Sequence, residues 1–168
     1  MLILRSKLIG MPIVDLRSQS RLGNIGDLIL NDTDVNLSGI ALRGNFGKDI
    51  RIILPAEVLE ISKGIILVND EDSITKTKDN IRINKLVNDQ FYGIGQKVFT
   101  KSGKYIGRIH DLLIDSLDFR IAKFYVKSFL RERILSSNLI LEIKGKRIII
   151  KDDFELSRIS QATEAARA

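Results

Sequence analysis

The chain has 168 residues, 44% of them hydrophobic and 29% charged, and a net charge of +6. It contains no cysteine and a single histidine. These counts exclude a disulfide scaffold, thiolate metal sites, thiol catalysis, histidine-cluster metal sites and most histidine-based triads. The length alone fits one basic globular domain. The opening run Met1–Leu8 is too short for the apolar core of an export signal. No stretch approaches the roughly 18 apolar residues that would span a bilayer. The expected location is cytoplasmic, with attachment to a membrane or a large complex left open.

In chain order, Ile-, Val- and Leu-rich runs broken by Gly, Asn, Asp and Ser predict strands over 12–16, 22–31, 35–43, 50–54, 58–62 and 65–69. Asn31–Asp34 is a polar turn, and Ser62, Lys63, Gly64 a tight hairpin. Residues 73–91 read as a polar linker, in which Ile81, Ile83, Leu86 and Val87 could still pack on a neighbour. Strands follow over 96–100, 106–115, 119–128, 133–136, 139–144 and 147–151. Between them lie a hairpin at Lys101–Lys104, a turn at Asp115–Asp118 and a tight hairpin at Lys144, Gly145, Lys146. Alternation in 119–127 predicts Phe119, Ile121, Lys123, Tyr125 and Lys127 on one face, and Ala122, Phe124 and Val126 on the other. The tail, 154–168, has helical spacing with a weak alanine face.

The chain also repeats itself. Displaced by 84 positions, Gly23, Ile25, Asp27, Leu28 and Asp34 fall on Gly107, Ile109, Asp111, Leu112 and Asp118. Displaced by 82, Ile52, Leu59, Glu60, Ile61, Ile66 and Asp70 fall on Ile134, Leu141, Glu142, Ile143, Ile148 and Asp152. The length prior of one domain therefore gives way to two small units, 1–72 and 92–153. Six short strands per unit suit a small, closed or nearly closed antiparallel barrel. A unit of this size is marginal alone, so packing between the copies is expected.

This order of elements resembles the PRC-barrel family. The first copy supplies Leu8, Ile9, Gly10, then Gly23, Ile25, Gly26, Asp27 and Leu28, then Leu54, Pro55, Ala56, Glu57 and Val58. The second supplies Tyr92, Gly93, Ile94, Gly95, then Gly103, Ile106, Gly107, Ile109, Asp111 and Leu112; it departs at the Pro segment, where Ser137, Asn138, Leu139 and Ile140 stand. The resemblance implies a mainly β chain of two tandem barrels with a short C-terminal helix. It also implies use in assembly and docking, as in the reaction-centre H subunit and a ribosome maturation factor, with no catalytic residue set.

The residues themselves point the same way. His110 and Asp111 are strand neighbours and point to opposite faces, so they do not make an oriented base. The matched acids Asp27 and Asp111, and Glu60 and Glu142, stand alone without a calcium-loop pattern and suit structural hydrogen bonding. Gly23, Asn24, Ile25, Gly26 lacks the ending of a phosphate loop. Charge is uneven: residues 1–75 carry −2 and residues 91–168 carry +6, with nearly all the aromatics. Candidate partner-binding residues are Lys101, Lys104, Arg108, Lys123, Lys127, Phe129, Arg131 and Arg133. The expectation is a non-enzymatic adaptor without metal, cofactor or small-molecule substrate. Its partner would be a protein or macromolecular complex; RNA or an anionic membrane is the alternative object of the basic second unit.

Overall fold

The computed structural model describes residues 1–34, 36–44, 49–89, 93–129 and 131–152. The chain opens with β1 (Leu2–Leu4) and the one-turn helix α1 (Arg5–Leu8). The first unit then contains β2 (Pro12–Asp15), β3 (Arg21–Leu30), β4 (Leu37–Leu42), β5 (Arg51–Ile53), β6 (Val58–Ser62), β7 (Ile65–Val68) and β8 (Ile74–Lys76). Helix α2 (Ile81–Asn88) follows. The second unit contains β9 (Lys97–Thr100), β10 (Tyr105–Asp115), β11 (Ile121–Lys127), β12 (Glu132–Ser136), β13 (Ile140–Lys144) and β14 (Arg147–Ile150).

The first sheet runs β6-β7-β2-β3-β4-β5-β8, and the second β12-β11-β10-β9-β14-β13. The sequence repeat is thus a repeat of topology. One pairing in each unit is parallel, β2 with β7 and β9 with β14, where an all-antiparallel arrangement was expected.

The sheets are not closed into barrels. The chain passes from β5 to β6 through a 3-10 turn at Pro55–Glu57, and from β12 to β13 through one at Ser137–Leu139. These turns spend hydrogen bonds internally: Glu57 N donates to Leu54 O at 2.9 Å, Val58 N to Pro55 O and Ile140 N to Ser137 O. Pro55 has no N–H to offer a ladder. In the first unit β8 takes the outer edge of β5, so the open edges are β6 and β8, and in the second they are β12 and β13. The expected C-terminal helix over 154–168 lies outside the described residues.

The alternation predicted for 119–127 is corrected by one residue. Lys123 pairs with Leu113 but Ile121 with Ile114, so Ala122 is the extra residue of a bulge. The bulge turns Ile121 inward beside Phe124 and Val126, and all three are buried.

Residues 74–88, within the polar stretch between the copies, are built into the fold. β8 extends the first sheet by pairing with β5. Asn80 caps α2, its Oδ1 accepting from Ile83 N at 3.1 Å. Ile83 and Leu86, three apart on one helical face, are buried. Ile83 reaches Ile29 of β3 over Gly39, which leaves room for both side chains. That covering accounts for the consecutive burial of Leu28, Ile29 and Leu30, a strand enclosed on both faces.

The two units share one hydrophobic core. β1 leaves the first unit and pairs antiparallel with β10 of the second, Leu2 opposite Asp115 and Leu4 opposite Leu113. Leu37 N donates to Phe119 O at 3.2 Å, and Gly93 packs so tightly under Leu30 that a Cβ there would collide with it.

Candidate docking surface

The repeated aspartates define the inner side of the joint. Asp27 Oδ1 accepts from Arg5 Nη2 at 2.6 Å and from Leu28 N at 2.8 Å. Asp111, its counterpart, accepts from Ser6 N at 3.1 Å, Ser6 Oγ at 2.6 Å and Leu112 N at 2.8 Å. Both carboxylates therefore grip α1, one from each unit, and their repetition has a structural use. His110 points the other way, to the exposed face, where its Nε2 lies 2.9 Å from Glu132 Oε1 and its ring meets Tyr125 edge-on.

The exposed face of the second sheet carries a row of aligned side chains. Lys144 is opposite Arg147, Arg147 opposite Lys97, Lys97 opposite Arg108, Arg108 opposite Lys127, and Lys127 opposite Glu132. All six are exposed, while Val98, Ile109, Val126 and Ile148, one residue on, are buried. Strict alternation thus puts five cations on adjacent strands. At about 4.8 Å per strand the row covers about 19 Å. The single acid, Glu132, sits at its end and is engaged by His110. Among the described residues none of the five cations has an acidic partner. Arg108 Nη1 donates to Gly95 O at 2.9 Å, and the Arg147 guanidinium lies 5.2 Å over the Phe99 ring. Lys97, Arg108, Lys146 and Arg147 also line an open hollow of about 400 Å³.

The row occupies the end of the sheet where β9 and β14 begin and β11 ends. The 144–147 hairpin and the 128–131 turn lie at that end. Ser128 N donates to Arg131 O at 2.8 Å, closing the turn, and Phe129 at its tip is 100% exposed.

The structure divides the sequence candidates. Arg108 and Lys127 stand side by side in the row, with Phe129 and Arg131 in the turn just beyond Lys127. Lys123 is exposed but lies four residues along β11, opposite Ser136. Arg133 pairs with the buried Val126, on the other face from Lys127. Lys101 and Lys104 are exposed in the β9–β10 turn, at the far end of β9 from Lys97. Lys144, Lys146 and Arg147 were absent from the sequence candidates; the Lys-Gly-Lys-Arg run was their only signal, and it reads first as a hairpin.

Two titrating groups also sit in turns. Backbone donation from Ser18 holds the Asp15 carboxyl below its ordinary value, with further help from Arg17. Asp115 is lowered in the same way, by Leu117 N first and then by the chain's own N-terminus at 3.2 Å.

A tandem of small open β-sheet units, each with one parallel pairing, is the class of protein these features define. The sequence pattern of the PRC-barrel domain matches residues 2–73 and 94–156, and the chain belongs to that family as two copies in tandem. Domains of this family are generally protein-interaction modules. Among curated proteins, none matches the chain. No helix among the described residues is long and apolar enough to cross a membrane.

Proposed function

We propose that the chain is a non-enzymatic docking adaptor that holds a protein or macromolecular complex through its sheet surfaces. The observation that carries this reading is the row of five cations. Like charges directly opposite each other across strands destabilise a sheet. A fold gains nothing from five in succession, so a local rule broken this way points to use. The corresponding positions of the first unit hold Ser62, Ile65, Pro12, Asn24 and Arg43, only one of them charged. One unit offers a near-neutral surface and the other a basic one.

The RNA reading draws on the same cations. Single-stranded RNA also wants bare aromatic faces on which bases stack. Here Phe99 carries Arg147 and packs against Tyr105 at 5.4 Å, and Tyr125 is met by His110. That arrangement favours recognition by charge.

The test uses two triple variants of equal charge change. One neutralises the row with Lys97→Gln, Lys127→Gln and Lys144→Gln. The other places Lys7→Gln, Arg43→Gln and Lys63→Gln in the first unit. A macromolecular partner held by the wild type should be lost from the row variant and kept by the control. Equal retention by both variants would overturn the assignment. Filter binding to RNA over a salt series tests the other reading, which requires a log–log slope of about −3 to −4 for five phosphate contacts.

A further inference from the structure

The basic row ends at a bare aromatic ring. Lys127 closes the last rung of β11 with Glu132, and the turn that follows lifts Phe129 clear of every neighbour. A fully exposed phenylalanine has no role in the core. It is held by a tight turn, with Ser128 N and Oγ both donating to Arg131 O. Exposed large apolar residues elsewhere, such as Leu117, are not bordered by such a row.

We infer that this end of the second unit seats on an anionic lipid bilayer, with the row against the headgroups and Phe129 inserted between them. The inference goes beyond the docking reading by making one of the adaptor's two attachments a membrane, and it rests on the same row. Three features on this end favour a bilayer over a nucleic acid or an acidic peptide. The cations are spread across five adjacent strands at one end of the sheet, an array broad enough to face a charged plane. The rings of Phe99, Tyr105 and Tyr125 within the sheet are already engaged, whereas that of Phe129, just past the end of β11, is bare. An exposed phenylalanine in a turn with Lys127 and Arg131 on its two sides in the chain matches the boundary where a charged surface overlies hydrocarbon.

Each basic residue near an anionic membrane surface is worth about fivefold in partition, about 1 kcal/mol. The experiment is co-sedimentation of the full chain with vesicles of equal parts phosphatidylcholine and phosphatidylserine, beside vesicles of phosphatidylcholine alone. The wild type should sediment only with the anionic vesicles. The variant Lys97→Gln/Lys127→Gln/Lys144→Gln should lose about a hundredfold in partition, and the first-unit control variant within about threefold, because screening confines the attraction to charges near the surface. The chain has no tryptophan, so Phe129→Trp reports the tip alone. Its emission should shift to the blue on anionic vesicles and stay unshifted on single-stranded RNA. Absence of that shift, equal sedimentation with neutral vesicles, or binding to RNA but not to vesicles would each overturn the inference. If vesicles fail while the row variant still releases a macromolecular partner, the bilayer is ruled out and the docking reading stands. If the row variant changes neither, both fall.

Discussion

At one end of each sheet the two units bring the same strand positions side by side. In the first unit Ser62 stands opposite Ile65, Pro12 opposite Asn24, and Arg43 N donates to Asn24 O at 2.8 Å. In the second the equivalent positions are Lys144, Arg147, Lys97, Arg108 and Lys127. The ladders superimpose in register, down to the hydrogen bonds of Gly10 N to Ile25 O and Gly95 N to Ile109 O, at 2.8 and 2.7 Å. Backbone architecture therefore places no demand for charge at these positions. The difference belongs to the side chains alone, and the first unit serves as an internal control for the second.

The largest test of the comparison lies in the paired glycines. A Cβ on Gly107, at φ +149°, would come within 2.6 Å of the Lys127 carbonyl oxygen, whereas one on Gly23 would meet only a Leu42 methyl at 3.2 Å. Gly107→Ala should cost about 3 kcal/mol, and Gly23→Ala about 1 kcal/mol, in urea unfolding. The aspartates come next. Asp111 is buried and accepts three hydrogen bonds, so Asp111→Ala should cost about 2 kcal/mol. Asp27 is more exposed, and Asp27→Ala should cost about 1 kcal/mol by the same measurement. Neutralising the row should act in the opposite direction. Lys97→Gln with Lys127→Gln should stabilise the fold by about 0.5 kcal/mol at low salt, and Arg43→Gln should leave it unchanged. Added salt should erase that gain.

The smallest effect is acid sensitivity. The Asp15 carboxyl is lowered from 3.8 by the backbone of its turn, while the equivalent turn of the second unit uses Thr100, whose Oγ1 accepts from Lys104 N at 3.0 Å. A carboxyl lowered in the folded state stabilises it above the unfolded value and loses that contribution as pH falls through the folded one. Below about pH 4, therefore, the wild type should lose stability that Asp15→Asn lacks at every pH. Parallel acid titrations followed by circular dichroism would show the two curves converging.

Much of the architecture was legible because it is written locally. Matched glycines, turn acids and apolar runs disclose the repeat, and hairpins such as 144–147 fall where Gly145 stands. The open sheets were not legible, since their edges depend on long-range pairing such as that of β8 with β5. Nor was the bulge at Ala122, which is set by the register of Lys123 and Ile121 against β10. The row shows the same limit. Residues 97, 108, 127, 144 and 147 share no spacing in the chain. A parallel pairing of β9 with β14, made across most of the second unit, brings them together. Arg108 and Lys127 could be picked out by charge, but Lys123 and Arg133 could not be separated from them without the face each occupies.

The pairing of β1 with β10 has a consequence during synthesis. Leu2 is made well before its partner Asp115, which lies 113 residues further along the chain. At about 5–20 residues per second the first strand waits about 6–23 s for its place in the second sheet. Through that interval Leu2, Ile3 and Leu4 are an unpaired strand with an apolar side. The first unit can gather its own core while the arm hangs free, but the molecule is sealed only when the second sheet is complete. A growing chain halted between the two repeats would expose this arm to other chains, which makes the order of the repeats, and not only their sequence, part of how the protein reaches its fold.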